Sequence, residues 1–172
     1  MRRTNKIVLL GVMVSIALML HIFESFIPLS GIMPPGAKLG LANIVTLIVI
    51  MFFGFKEAVV VVILRTFLGS LFGGGFVVFF YSLAGGLLST VVMSIMYKRF
   101  DKYFSLAGIS IAGGVFHNIG QLLVFSIVAN TAGIFAYLPA LLITGVMAGY
   151  FIGLVASFLE RYIKSHMKWL MK

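Results

Sequence analysis

The charges of this chain stand in short clusters, and the intervals between the clusters are long and apolar. About 20 apolar residues cross the hydrocarbon core of a bilayer as a helix. Only elements that satisfy their own backbone hydrogen bonds persist there. The pattern restricts the chain to a bundle of membrane helices. Of 172 residues, 62% are hydrophobic and 10% charged, against about 25% charged in soluble domains. The length admits five or six crossings with short loops, so residues 1–172 read as a single transmembrane domain. Cysteine is absent, which excludes disulfides, thiolate metal sites and cysteine nucleophiles.

Taken in order, residues 7–27 form a first span behind Arg2, Arg3 and Lys6. The apolar run is long and no A-x-A-like site follows it, which argues against a signal peptide. The second span, 39–53, is short for a crossing and reads as tilted, longer at its start, or re-entrant. The third, 58–72, is broken by Gly73-Gly74-Gly75, and the fourth covers 76–97. The fifth, 105–129, and the sixth, 134–159, are joined by Asn130-Thr131-Ala132-Gly133. The basic tail, 160–172, with Trp169 and Met171 interleaved, is expected along the membrane surface. The fold class is all-α, with six transmembrane helices.

Six crossings with the N-terminus inside put eleven of the 13 Lys and Arg on the cytoplasmic side, leaving Lys38 outside and Arg65 within a span. That asymmetry places both termini in the cytoplasm. It also accounts for the net charge of +9 without nucleic acid as a partner.

Polar groups inside lipid are costly and mark functional sites. Glu24 lies near the outer end of span one, Arg65 in the middle of span three, and His117, Asn118 and Gln121 on one face of span five by their spacing. Lys38 and Asn43 follow the helix-breaking Pro34-Pro35-Gly36, which reads as a lid or rim. With Tyr81, these eight residues fall at similar depth, and a small polar pocket open to the outside explains them together. Its cationic members outnumber Glu24, which favours a ligand with an anionic or accepting group. Two structural alternatives stand beside it: an Arg65–Glu24 pair, and His117 as a neutral core histidine. An arginine at mid-membrane costs about 2.5–3.5 kcal/mol on insertion scales, which one carboxylate would partly offset. No His, Asp or Glu set has metal-ligand spacing, and no cofactor is implied.

Small residues recur at helical spacing: Gly145, Gly149 and Gly153 on span six, Gly69/Gly73, Gly85/Ser89, and Gly11/Ser15 on span one. Such faces let helices approach closely in lipid. Packing within the monomer explains most of them. The face of span one is the candidate for docking a partner.

The runs Lys38-Leu39-Gly40-Leu41-Ala42-Asn43-Ile44-Val45, Phe53-Gly54-Phe55-Lys56-Glu57-Ala58, Arg65-Thr66-Phe67-Leu68-Gly69 and Gly113-Gly114-Val115-Phe116-His117-Asn118-Ile119-Gly120-Gln121 resemble the family labelled Gx transporter or heptaprenyl diphosphate synthase component I. More broadly, the architecture is similar to the substrate-binding S components of energy-coupling-factor (ECF) transporters. That resemblance implies a multi-pass protein of the bacterial cell membrane that captures a micronutrient from the outer side. It also implies partners, an ECF coupling protein and ATPase subunits, docked on small residues of helix one. Here Gly11 and Ser15 stand in for the alanines of the S components. Relatives also resemble a membrane component of flavin-based extracellular electron transfer. An alternative role is thus a membrane subunit in isoprenoid or quinone metabolism, with a prenyl synthase or an extracytoplasmic redox protein as partner.

Chain-elongating prenyl synthases hold diphosphate through magnesium on aspartate-rich motifs. This chain has one aspartate, Asp101, among loop lysines, so that chemistry is not its own. It also lacks G-x-x-x-x-G-K-[ST], so energy for transport comes from partners. No nucleophile–base pair is apparent, and the chain reads as a binding protein rather than an enzyme.

Overall fold

The computed structural model describes residues 3–27 and 37–166. They form six α-helices: α1 (Arg3–Glu24), α2 (Asn43–Phe52), α3 (Phe55–Gly69), α4 (Gly75–Arg99), α5 (Leu106–Val128) and α6 (Leu138–His166). A π-helical turn, Ser70–Gly74, joins α3 to α4, and a 3-10 segment, Ala132–Tyr137, leads into α6. No strand occurs among the described residues.

Among the described residues, four segments have the length and hydropathy to cross a membrane: Arg3–Glu24, Gly75–Arg99, Leu106–Val128 and Ala132–His166. The sequence predicts six crossings, and α2 and α3 depart from that expectation. At 10 residues, α2 is about 15 Å long, half the hydrocarbon thickness. It sits inside the bundle, touching each of the other five helices. A helix walled by protein need not match the bilayer, and seven of its residues are buried. Its N-terminal limit has a local cause. The peptide groups of Lys38 are held by the side chain of Gln121 on α5, and Gly40 follows with φ +83°, so the helix cannot extend backward. At the other end, the amides of Phe53 and Gly54 both donate to the Val49 carbonyl. Gly54, at φ +100°, then turns the chain directly into α3.

Neighbouring helices alternate in direction. The N-termini of α1 and α3 meet where Lys6 pairs with Glu57. The C-terminal turns of α4 lie beside Phe55, and Tyr97 lies near Glu160 and Lys164 of α6. The clustered cations therefore gather at one end of the bundle, the basic end. An apolar core built on Val45, Leu47, Val49 and Ile50 of α2 reaches Ala17, Val61, Met93, Ile109 and Ala156 on the surrounding helices.

Glycines set the spacing of α4, α5 and α6. A Cβ at Gly149 would fall 2.6 Å from the Ile111 Cα and the Ser110 carbonyl oxygen on α5. One at Gly120 would fall 2.9 Å from Gly85 Cα and the Ala84 oxygen on α4. The α6 glycine face is thus filled by the chain itself, through backbone-to-backbone packing. Gly11 differs, because nothing lies within 4 Å of a Cβ placed there.

The tail departs from its expected course. Helix α6 continues through residues 160–166 instead of leaving the bundle at 159. Glu160 accepts a hydrogen bond from the Lys164 ammonium, 2.7 Å away, a helical i,i+4 pair that carries the helix past its apolar section. Trp169 and Met171 lie outside the described residues.

Candidate functional site

The half of the bundle away from the basic end holds a layer of buried polar side chains. All eight binding residues expected from the sequence are buried in it: Glu24, Lys38, Asn43, Arg65, Tyr81, His117, Asn118 and Gln121. They come from α1, the segment before α2, α2, α3, α4 and α5. Pro34, Pro35 and Gly36, the expected lid, lie outside the described residues.

Several of these groups are committed to the fold. The Gln121 amide makes two hydrogen bonds to one residue. It accepts from the Lys38 N–H at 2.9 Å and donates to the Lys38 carbonyl at 2.8 Å, pinning the connecting segment to α5. The Lys38 ammonium turns away and donates to the His21 carbonyl at 2.8 Å and the Ser25 hydroxyl at 2.9 Å. It therefore caps the carboxyl end of α1, where a cation is favoured. The Glu24 carboxylate accepts from the Leu41 N–H. Asn118 donates to the Leu141 carbonyl on α6 at 2.6 Å, and its oxygen accepts from Gln121 at 3.4 Å. Tyr81 stacks on Phe125 with ring centroids 4.8 Å apart, beside a cavity of about 10 Å³ that Gln121 also lines.

The Arg65–Glu24 pair considered from the sequence does not form. Among the described residues the ion pairs are Lys6–Glu57 and Lys164–Glu160. Arg65, 1% exposed, donates from Nη2 to the Asn43 oxygen at 3.1 Å, with Gly86 of α4 against the guanidinium. A carboxylate on α1 and a guanidinium on α3 thus share the layer, each bonded to a different neighbour.

The remaining groups stay open. Arg65 Nε, Asn43 Nδ2 and both ring nitrogens of His117 are buried with no hydrogen-bond partner among the described residues. Asn43 and His117 meet at Gly40, and Arg65 adjoins them through its bond to Asn43. A Cβ at Gly40 would fall 2.8 Å from His117 Cδ2 and 2.9 Å from Asn43 Nδ2. Buried polar atoms are nearly always paired, so an orphan cluster of this kind calls for an explanation. Two of the atoms are N–H donors, and neutral imidazole adds one donor and one acceptor. The arrangement suits a ligand that carries an acceptor or an anionic group.

Sequence reasoning missed His21, which is buried with its ring against Gly69 of α3. The signal was present, since His21 stands three and four residues before Glu24 and Ser25 on one helix face. Gly40 and Gly86 were not separable from structural glycines by spacing alone. Among the described residues no three His, Asp or Glu are grouped to hold a metal ion. Gly11 and Ser15 lie exposed on α1, the Ser15 hydroxyl donating back to the Gly11 carbonyl at 3.0 Å.

The profile of one family, described as heptaprenyl diphosphate synthase component I, matches residues 13–159. The chain belongs to that family. The matched region begins within α1 and ends within α6, so it contains every member of the polar layer. No curated protein and no solved structure matches the chain significantly.

Proposed function

We propose that the protein is a membrane-embedded binding subunit, acting as the S components of ECF transporters do. It captures a small molecule from the outer side, and an ECF coupling protein and ATPase subunits supply the energy. One observation carries this reading: Asn43, Arg65 and His117, on three different helices, carry unpartnered polar atoms among the described residues, and Asn43 adjoins both of the others. Buried donors and acceptors without protein partners match the groups that a polar ligand brings. Lys38, Gln121, Asn118 and Glu24 form the frame that holds them, and Tyr81 walls the site. The uncovered Gly11–Ser15 face of α1 serves docking to the partner.

A second reading has one observation in its favour, the family description itself. In it the chain is the membrane component of a prenyl-synthase assembly, and the polar layer holds the head of an isoprenoid or quinone.

Native mass spectrometry of the gently purified protein tests the binding function. A retained small molecule is expected in the wild type, with about tenfold weaker retention in Arg65→Lys, which keeps the charge but loses the planar fork. Equal retention in both removes Arg65 from the site. Co-purification separates the two readings: a coupling protein with an ATPase pair supports the first, and a prenyl synthase supports the second.

A further inference from the structure

The buried polar layer carries more positive than negative charge. The chain has four acidic residues. Glu57 and Glu160 pair with Lys6 and Lys164, and Asp101 stands in the connection between α4 and α5, at the basic end. Glu24 is therefore the one acid of the layer, against the Lys38 ammonium and the Arg65 guanidinium, and all three are buried. Residues 28–36 contain no ionisable side chain. His21 and His117 form no ion pair among the described residues and add no charge as neutral imidazole. The layer thus holds one positive charge in excess. That excess sits at Arg65. Lys38 caps the end of α1 and Glu24 holds the Leu41 N–H, whereas the guanidinium meets a neutral amide oxygen on Asn43. Its Nε has no partner among the described residues, and neither has Asn43 Nδ2. Arginine does not shed its proton, and a buried cation without a counter-charge is costly.

We infer that the ligand of this layer is a small organic acid with a single carboxylate, held by Arg65 Nε and Asn43 Nδ2 with His117 beside it. The inference rests on the binding role proposed above and names the ligand class. One negative charge cancels the excess. A neutral ligand leaves Arg65 without a counter-charge, and a phosphate, with about −1.5 to −2 charges at pH 7, turns the excess negative. The planar carboxylate matches the guanidinium fork, and its roughly four lone-pair sites can accept from Arg65, Asn43 and His117 together. Glycines keep the two main donors uncovered. A Cβ at Gly86 would fall 3.2 Å from Arg65 Nη2, and one at Gly40 would fall 2.9 Å from Asn43 Nδ2.

The test titrates the full-length protein, in chloride-free detergent buffer, with benzamide, sodium benzoate and phenyl phosphate, which share a ring and differ in charge. Affinity is read from the dependence of melting temperature on probe concentration. Benzoate is expected to bind the wild type about tenfold more tightly than either of the others. Arg65→Gln removes the excess charge and should erase the preference for benzoate over benzamide. Glu24→Gln, which keeps an oxygen for the Leu41 N–H, raises the excess by one and should move the preference to phenyl phosphate. Glu57→Gln, at the basic end, should leave the preference for benzoate in place. Each variant is scored by the ratio between probes, so a general loss of stability does not imitate the result. The inference is overturned if benzamide or phenyl phosphate binds the wild type as tightly as benzoate, or if Arg65→Gln and Glu24→Gln keep the wild-type ratios. Equal protection by sodium chloride assigns the charge to an inorganic halide and also overturns it. Identifying the molecule that the wild type retains separates this inference from the binding role. A neutral or phosphorylated molecule overturns the inference and leaves capture standing, whereas failure of every probe with nothing retained removes both.

Discussion

Gln121 and Glu24 show how the polar layer divides between fold and site. Each satisfies backbone groups of the segment before α2, Gln121 at Lys38 and Glu24 at Leu41. Leaving a buried backbone group unpaired costs about 1–3 kcal/mol. Gln121→Ala orphans both peptide groups of Lys38, so it should be the most damaging single change in the layer, by about 2–4 kcal/mol, read as a fall in melting temperature in detergent. Glu24→Gln keeps a side-chain oxygen for the Leu41 N–H and should cost much less than Glu24→Ala. Equal melting of these two variants would show that the carboxylate's charge, and not its hydrogen bond, is what matters. The spacing of His117, Asn118 and Gln121 was enough to place them on one buried face. Their partners were not legible, because Gln121 meets Lys38 across 83 positions of sequence. A separation of 22 positions likewise concealed the choice of Arg65, whose guanidinium takes Asn43 rather than the carboxylate.

At the scale of elements, hydropathy located every helix but did not rank them. It counts apolar residues and does not report what surrounds them. The short α2 and the lipid-facing helices therefore looked alike, although α2 lies inside the bundle. It also ended α6 at the last apolar residue, because the Glu160–Lys164 pair that prolongs the helix is polar. Glycine patterns were similarly ambiguous until their neighbours were known. Gly149→Ala should cost about 1–3 kcal/mol by overpacking, since its Cβ would strike the backbone of α5. Gly11→Ala should be neutral or stabilising, because a helical glycine with open space around it gains from a methyl group. Equal thermal shifts in the two variants would contradict the packing described for α6. If the α1 face docks a partner, replacing Gly11 and Ser15 together with leucine should leave melting intact and weaken partner pull-down. Unchanged recovery of every partner would remove that role from α1.

For the whole molecule, helix order and charge agree on an orientation. Alternating directions bring Lys6, Lys56, Lys98, Arg99, Lys102, Arg161 and Lys164 to helix termini at one end. The other end carries the buried polar layer and the turn at Thr131, where the Thr131 hydroxyl accepts from the Gly133 N–H at 3.3 Å. Lysine and arginine near helix ends are retained on the cytoplasmic side. The basic end should therefore face the cytoplasm, and the polar layer should lie in the outer half of the bilayer, where a ligand from outside would reach it. Because the chain has no cysteine, single cysteines report position without background. Lys102→Cys and Thr131→Cys are suitable sites, since both residues are exposed in connecting segments. A membrane-impermeant thiol reagent applied to intact cells should label position 131 and leave position 102 unmodified until the membrane is opened. The reverse pattern would place the polar layer on the inner side and exclude capture from outside. Labelling of both positions in intact cells would mean that α5, the one helix between them, does not separate them across the membrane, and the bundle would then need a different arrangement there.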